Sequence, residues 1–145
     1  MAKPLHDPLS KEIDMIRNYI DLQNLRTSEK EKINLEIIGD IENKKIAPLV
    51  FLPFVENSFK HGLKSGAENA FVNIKIEIIG KILNFEIENS KGKSGDISDI
   101  KYQGIGIENV KKRLELIYSG AYQLKISNEE TKFSVNLRLQ LKESI

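Results

Sequence analysis

The sequence predicts an α/β domain in which helices cover one face of a mixed, mostly antiparallel sheet. Segments with apolar residues at spacings of three and four alternate with segments in which every second residue is apolar. Their order is α, β, α, β, β, long loop, α, β, β. Because each helix must bury its apolar stripe, this order predicts a two-layer α+β sandwich.

The composition excludes several classes of protein. The chain has 145 residues, which fits one domain, with 40% hydrophobic and 30% charged residues. A net charge of +1, 7% aromatic residues and no Trp argue against a nucleic-acid partner or a membrane surface. The absence of cysteine excludes disulfides and thiolate metal sites. No apolar run approaches the roughly 18–20 residues of a membrane span, so we expect no membrane contact.

Periodicity and turn residues predict the following elements. They are a helix over 10–28, a strand over 32–38, a helix over 48–63, strands over 70–79 and 82–88, a helix over 104–118 and strands over 124–127 and 133–141. Pro53 falls inside the second helix and removes one backbone hydrogen bond, which predicts a kink. The polar loop over 90–103 is long enough to be a binding loop, or else a surface excursion without structure.

The second predicted helix separates into an apolar and a polar face. A helical wheel places Phe51, Leu52, Val55, Phe59 and Leu63 toward the sheet. Asn57, Lys60, His61 and Lys64 lie opposite, with Glu56 at the border. A solvated face with a Glu56–Lys60 ion pair would explain this pattern. However, Asn is a poor residue for the middle of a helix, and a Glu–Asn oxygen pair suits Mg²⁺ with its water shell.

The segment Gly104-Ile105-Gly106 precedes the third predicted helix. Glycines let a backbone approach a ligand closely, and the free N–H groups of a helix start attract phosphate. The alternative is a helix start that glycine merely caps. The segment does not match the dinucleotide fingerprint, because a loop precedes it, nor a P-loop, which ends in Gly-Lys-Ser/Thr.

In this order and spacing, three blocks resemble the GHKL superfamily of ATP-binding domains, and more narrowly the Lyt-type sensor histidine kinases of bacteria. They are PLSKEIDMIRNYIDLQNLR (8–26), IAPLVFLPFVENSFKHGL (46–63) and GIGIENVKKRLELIY (104–118). The second is similar to the family's asparagine box and the third to its second glycine box. The resemblance implies a Bergerat-type ATP-binding fold. Residues 1–30 would end a linker or dimerisation helix, and residues 31–145 would form the catalytic domain.

The resemblance also implies ATP and Mg²⁺ as cofactors and assigns roles to residues. Asn57 would coordinate the Mg²⁺ that bridges the nucleotide phosphates, and Glu56 would be the catalytic acid/base near the γ-phosphate. Lys60 and His61 would reach phosphate or ribose. Gly104, Ile105 and Gly106 would form the phosphate-binding turn, with the loop over 90–103 as the ATP lid. Such an inventory suffices for phosphoryl transfer, which depends largely on positioning and charge neutralisation.

The chain departs from the family around the base. Asn89 stands where the family has an Asp that accepts a hydrogen bond from the adenine amino group. The amide oxygen of Asn89 still accepts that bond but carries no charge, and most glycines of this box are absent. Thr131 is expected to stand for a Thr near the base, without the Gly that usually precedes it.

The resemblance further implies partners. His6 precedes Asp7-Pro8 in a non-helical context and is not expected to be the phospho-acceptor. We expect the γ-phosphate to pass to a His on a dimerisation segment absent from this chain, and then to a response regulator. The chain would be the cytoplasmic domain of an inner-membrane-anchored bacterial kinase. The alternatives are a degenerate, non-catalytic signalling scaffold, another GHKL ATPase, or an anti-sigma-type serine kinase.

Overall fold

The computed structural model describes residues 6–26, 33–62, 70–91 and 97–143. In these ranges the helices are α1 (Leu9–Arg26), α2 (Leu52–Gly62) and α3 (Ile97–Ile117). The strands are β1 (Asp7–Pro8), β2 (Ile33–Ile38), β3 (Lys44–Ile46), β4 (Val72–Ile79), β5 (Ile82–Ser90), β6 (Tyr122–Asn128), β7 (Lys132–Gln140) and β8 (Lys142–Glu143). None of the described helices combines the length and apolarity needed to cross a membrane.

Five strands form the main sheet in the order β2-β4-β5-β7-β6. The β2–β4 pair is parallel, and the other three pairs are antiparallel. The predicted α+β class with a mixed, mostly antiparallel sheet is therefore confirmed. Alternate residues of β4 face the helices and are buried, namely Val72, Ile74, Ile76 and Ile78. This alternation follows from the two-residue period of a strand.

A second, three-stranded sheet in the order β1-β3-β8 was not predicted. Its strands have only two or three residues each, too few to show an alternating pattern in the sequence. The sheet joins the segment ahead of α1 to the chain after β7. It thereby places the start of α1 against the core, where Leu9, Ile13 and Ile16 are fully buried.

The second helix begins at Leu52 rather than Pro48, and the kink predicted at Pro53 is wrong. Pro53 lies in the first turn, where the backbone N–H groups have no intrahelical acceptor. The amides of Phe54 and Val55 both donate to the Phe51 carbonyl, at 3.0 and 3.1 Å. The missing N–H of Pro53 therefore costs no helical hydrogen bond.

The third helix begins at Ile97, so the start predicted at Gly104 is wrong. Gly104 and Gly106 lie inside α3 and not in a turn ahead of it. The prediction placed the helix start at the glycines because two glycines ahead of a helix suit a turn in which the backbone approaches phosphate. In the sequence, however, Ile100, Ile107 and Leu114 recur every seven residues, so one apolar stripe continues across the glycines. Of the predicted loop, residues 92–96 lie outside the described residues and 97–103 are helical.

Candidate functional site

The polar face of α2 carries four of the predicted site residues. Glu56 and Lys60 are exposed, whereas Asn57 and His61 are half-buried. The opposite face packs against β5 and α3. This face is formed by Phe54, Val55, Ser58, Phe59 and Gly62, which are all buried. Because the sheet side is closed by packing, the polar side of α2 is the side that can meet a ligand.

Asn89 lies buried near the end of β5, beneath the C-terminal end of α2. A methyl group added at Gly62 would lie 2.8 Å from the Asn89 Cβ, so only glycine permits this approach. Asn89 Nδ2 donates to the Ser90 carbonyl at 2.8 Å. Its Oδ1 is buried and has no hydrogen-bond partner among the described residues, and the same holds for Ser58 Oγ. These two oxygens, together with Glu12 Oε2 in α1, are buried without a partner among the described residues.

Thr131 lies at the same end of the sheet as Asn89. Its carbonyl accepts a hydrogen bond from the amide of Lys91 at 3.0 Å, two residues beyond Asn89. The Thr131 side chain is exposed, in the turn between β6 and β7. The Lys91 ammonium donates to Asn128 Oδ1 and to the Glu129 carbonyl, at 2.6 and 2.8 Å. The fold thus places the Thr131 backbone beside the end of β5 that carries Asn89.

The glycine segment lies within α3, which packs against α2. Gly106 is exposed, and a methyl group added there would meet no atom within 4 Å. Packing therefore does not require glycine at this position, although a glycine in a helix costs stability. The next residue, Ile107, is buried and anchors this part of α3 to the core.

Three residues that sequence reasoning did not single out hold the connection into α2. Glu12 Oε1 accepts the Leu49 amide at 2.7 Å, and the Tyr118 hydroxyl accepts the Ala47 amide at 2.8 Å. The Arg113 guanidinium donates to the carbonyls of this connection. A signal for Glu12 was available, because it lies one turn before Ile16 on the apolar stripe of α1.

Burial raises the pKa of the two acidic side chains that bind this connection, Glu12 and Tyr118. Burial raises the pKa of Glu12 most strongly, and the neighbouring Asp7 adds to the rise, while the Leu49 amide and Lys11 oppose it. Burial also raises the pKa of Tyr118, against the hydrogen bond from Ala47. Both shifts favour the neutral forms.

A cavity of about 540 Å³ lies on the opposite face of the main sheet, away from every predicted site residue. Several of its polar side chains pair with one another or with neighbours at the rim. Asn34 donates to Asn73 at 2.8 Å, Asn73 donates to Glu88 at 3.1 Å, and Lys132 lies 3.4 Å from Glu88. This self-satisfied pattern is typical of the solvated face of an antiparallel sheet.

The fold is that of the catalytic domain of histidine kinases. The catalytic domain of histidine kinase ThkA in a nucleotide-free form superposes with a TM-score of 0.65 and 12% identity, covering 99% of this chain and 100% of that one. Full-length ShkA in complex with AMPPNP has a TM-score of 0.65 and 13% identity, covering 99% and 32%. ThkA in complex with the response regulator protein TrrA has a TM-score of 0.59 and 14% identity, covering 92% and 40%.

In sequence the chain is homologous to Lyt-type and YesM-type sensor histidine kinases. Sensor histidine kinase YesM of Bacillus subtilis is 26% identical over 126 residues, covering 86% of this chain and 22% of YesM. Sensor protein LytS of Bacillus subtilis is 28% identical over 158 residues, covering 98% of this chain and 26% of LytS. The chain therefore spans about a quarter of the length of the curated relatives it matches. No protein-family model matches the chain.

Proposed function

We propose that this chain is the ATP- and Mg²⁺-binding catalytic domain of a two-component sensor histidine kinase. The observation that carries the proposal is the buried Oδ1 of Asn89, which has no partner in the described part of the chain. A buried acceptor without a donor costs about 1–3 kcal/mol. The exocyclic amino group of adenine supplies the missing donor, whereas the carbonyl of guanine does not.

The residues of α2 fit a metal that is held mainly by phosphate. Among the described residues, no three His, Asp or Glu side chains gather into a metal site. Asn57 offers one neutral oxygen, and Mg²⁺ usually takes one or two protein ligands together with substrate phosphates and waters. When bound, the ion neutralises phosphate charge. Glu56, the adjacent exposed carboxylate, is proposed to act as the acid/base near the γ-phosphate.

The remaining contacts with the nucleotide are proposed from the same arrangement. Lys60 and His61 lie one turn after the Glu56–Asn57 pair, where a cation neutralises phosphate or contacts ribose. The segment from Gly104 to Gly106, with Ile105 between the glycines, is proposed to seat the phosphates. The open space beside Gly106 supports this role. Thr131 is proposed to lie beside the base next to Asn89.

The proposed partners are a histidine-bearing dimerisation segment and a response regulator. The match to about a quarter of YesM and LytS supports a longer kinase with further segments. The TrrA complex of ThkA, which has the same fold, supports a response regulator as the class of partner. We further propose that the full kinase is anchored in a bacterial inner membrane, with this domain in the cytoplasm.

Titration calorimetry with ATP and Mg²⁺ tests the nucleotide site, and GTP serves as the matched control. We expect binding of ATP that depends on Mg²⁺ and discrimination against GTP. No heat of binding at millimolar ATP would overturn the proposal. Transfer of labelled γ-phosphate to a histidine-bearing segment of the same kinase, added in trans, then tests the reaction.

A non-catalytic scaffold is the second candidate, because Asn89 lacks the charge of the family's Asp. The two candidates make different predictions in the transfer experiment. A scaffold binds its partners without moving phosphate, and it tolerates replacement of Glu56. A kinase loses transfer on Glu56→Gln while it retains nucleotide binding, because Glu56 is proposed to act on the reaction and not on affinity.

A further inference from the structure

Side chains from α1, from α3 and from Tyr118, directly after α3, bind the backbone of residues 47–49 ahead of α2. The Ala47 and Leu49 amides donate to the Tyr118 hydroxyl and to Glu12 Oε1, at 2.8 and 2.7 Å. The Arg113 guanidinium donates to the Leu49 carbonyl at 3.0 Å and also to the Pro48 carbonyl. Because proline has no N–H, every backbone donor of this segment is satisfied by a side chain. We call this group of three side chains the 47–49 clamp.

Leu49 needs the clamp because its backbone is strained. Its φ is 58°, in the left-handed region that costs a residue with a side chain about 1–2 kcal/mol. The Leu49 side chain is 44% exposed, so its burial does not explain this conformation. The hydrogen bonds to the Leu49 amide and carbonyl therefore hold the residue in place.

Glu12 is an unusual member of the clamp. Its side chain is only 3% exposed, and burial of a carboxylate is costly unless hydrogen bonds compensate. A glutamine would offer the same acceptor without the charge. The structure explains why an acceptor is needed at this position, since Glu12 Oε1 accepts the hydrogen bond of the Leu49 amide.

The clamp lies just ahead of the polar face that carries Glu56 and Asn57. From Leu49 the chain passes through Val50 to Phe51, whose carbonyl accepts the Phe54 and Val55 amides in the first turn of α2. The Phe51 ring stacks on Phe85 of β5, with centroids 4.7 Å apart. The 47–49 segment is thus joined through one buried residue, Val50, to the residue that fixes the origin of α2 on the sheet.

We infer that Glu12 is a positioning residue that couples the placement of α1 to the first turn of α2, and hence to the nucleotide site. A displacement of α1 withdraws the acceptor of the Leu49 amide, which releases the strained residue and frees the start of α2. The effect on nucleotide binding rests on the proposed function. The coupling between α1 and α2 does not.

Hydrogen exchange of the Phe54 and Val55 amides tests the coupling without nucleotide. Glu12→Ala should speed exchange at these amides roughly fivefold, since loss of one hydrogen bond costs about 1 kcal/mol. Glu12→Gln keeps the acceptor and should restore slow exchange. Asp14→Ala is the matched control, because Asp14 is an exposed carboxylate on α1 that pairs only with Arg17 among the described residues.

A second variant isolates the strain at Leu49. Glycine takes a φ of 58° without penalty, so Glu12→Ala should have a smaller effect in a Leu49→Gly background. Should Glu12→Ala fail to fold, Arg113→Ala removes the other side of the clamp and makes the same measurement. Equal effects of Glu12→Ala in both backgrounds would contradict the assignment.

Titration of the same variants with ATP and Mg²⁺ tests the link to the site. We expect affinity to fall roughly fivefold in Glu12→Ala and to recover in Glu12→Gln, in parallel with the exchange rates. Uniform loss of protection across β5 and β7, with no excess at Phe54 and Val55, would reduce Glu12 to a structural residue and overturn the inference. If the wild type binds no nucleotide, the proposed function fails while the exchange result still decides the coupling.

Discussion

At the scale of single residues, substitution of Asn57 can separate the proposed metal binding from folding. It is half-buried on a helix that its neighbours anchor, and Ala is the better helix former by several tenths of a kcal/mol. Asn57→Ala should therefore keep the fold and weaken binding of ATP with Mg²⁺ at least tenfold, about 1.4 kcal/mol. Calorimetry with and without Mg²⁺ measures this change. Asn18→Ala, at an exposed position of α1, is the control. Equal affinity of both variants for ATP with Mg²⁺ would mean that the polar face of α2 is only a solvated surface.

Asn89 is the residue at which charge and burial oppose each other. Asn89→Asp removes the bond to the Ser90 carbonyl and buries a charge, so it should destabilise the nucleotide-free domain by about 1–3 kcal/mol. The charged acceptor should strengthen ATP binding, because charge-assisted hydrogen bonds are roughly twice as strong. Chemical denaturation measures the change in stability, and calorimetry measures the change in ATP affinity. Asn84→Asp on the outer face of the same strand is the control, and a weaker affinity of Asn89→Asp for ATP would refute the role of Asn89.

At the scale of elements, the glycines of α3 lie in a helix that is also proposed to seat the phosphates. Gly106→Ala adds a methyl group in open space within a helix, so it should stabilise the nucleotide-free domain by about 1 kcal/mol. The same change should weaken ATP binding, because it stiffens the segment proposed to approach phosphate. Gly120→Ala is the contrast, since its φ of 74° predicts destabilisation. Thermal unfolding measures the stability of both variants. Destabilisation by Gly106→Ala would contradict a helical conformation at Gly106.

The first helix belongs to the core at one end and is exposed at the other. Ile13 is fully buried, whereas Leu22 is 60% exposed. Ile13→Ala should therefore lower the free energy of unfolding by about 2–5 kcal/mol. Leu22→Ala should change it by no more than about 0.5 kcal/mol. Urea denaturation measures both, and equal effects would show that α1 does not pack as described. The division of the chain near residue 30 stays a prediction.

At the scale of the whole molecule, Glu12 makes stability depend on pH. Its pKa lies above the ordinary value of 4.5 because burial favours the neutral acid. The contribution to stability is thus fully present below the ordinary value and is lost as the pH rises through the raised value. Glu12→Gln cannot titrate, so its stability relative to the wild type should increase from pH 4.5 to pH 8.

The comparison between wild type and Glu12→Gln must allow for neighbouring groups that titrate. Asp7 and Lys11 lie beside Glu12, and Tyr118 belongs to the same clamp. The His6 ring lies edge-on to the Tyr118 ring, with the two ring centroids 6.1 Å apart. These groups are present in both proteins, so their direct effects cancel in the difference. Urea unfolding at several pH values measures that difference. If the stability of Glu12→Gln relative to the wild type fell as the pH rose, the surroundings of Glu12 would not favour its neutral form.

The strands of the main sheet, the faces of α2 and the order of the motifs were predictable, because each depends on neighbours in sequence. An alternating segment such as β4 has one way to bury its apolar side, and the wheel of α2 fixes which residues oppose Asn57. The errors occurred where a rule about single residues was outweighed by the packing of a longer segment or by where the helix begins. Gly104 does not begin α3, because the apolar stripe continues across it toward Ile97, and Pro53 does not kink α2, because the helix begins only at Leu52.

The sequence by itself determined the α+β class, the faces of the helices and the family resemblance, since these depend on residue type and spacing along the chain. Only the tertiary structure decided the small sheet, the approach of Gly62 to Asn89 and the clamp on residues 47–49. These features join residues far apart in sequence. Glu12 and Leu49, for example, are 37 positions apart, and Ala47 and Tyr118 are 71 apart. No local pattern encodes such pairs, because the free energy that selects them arises only when the core packs.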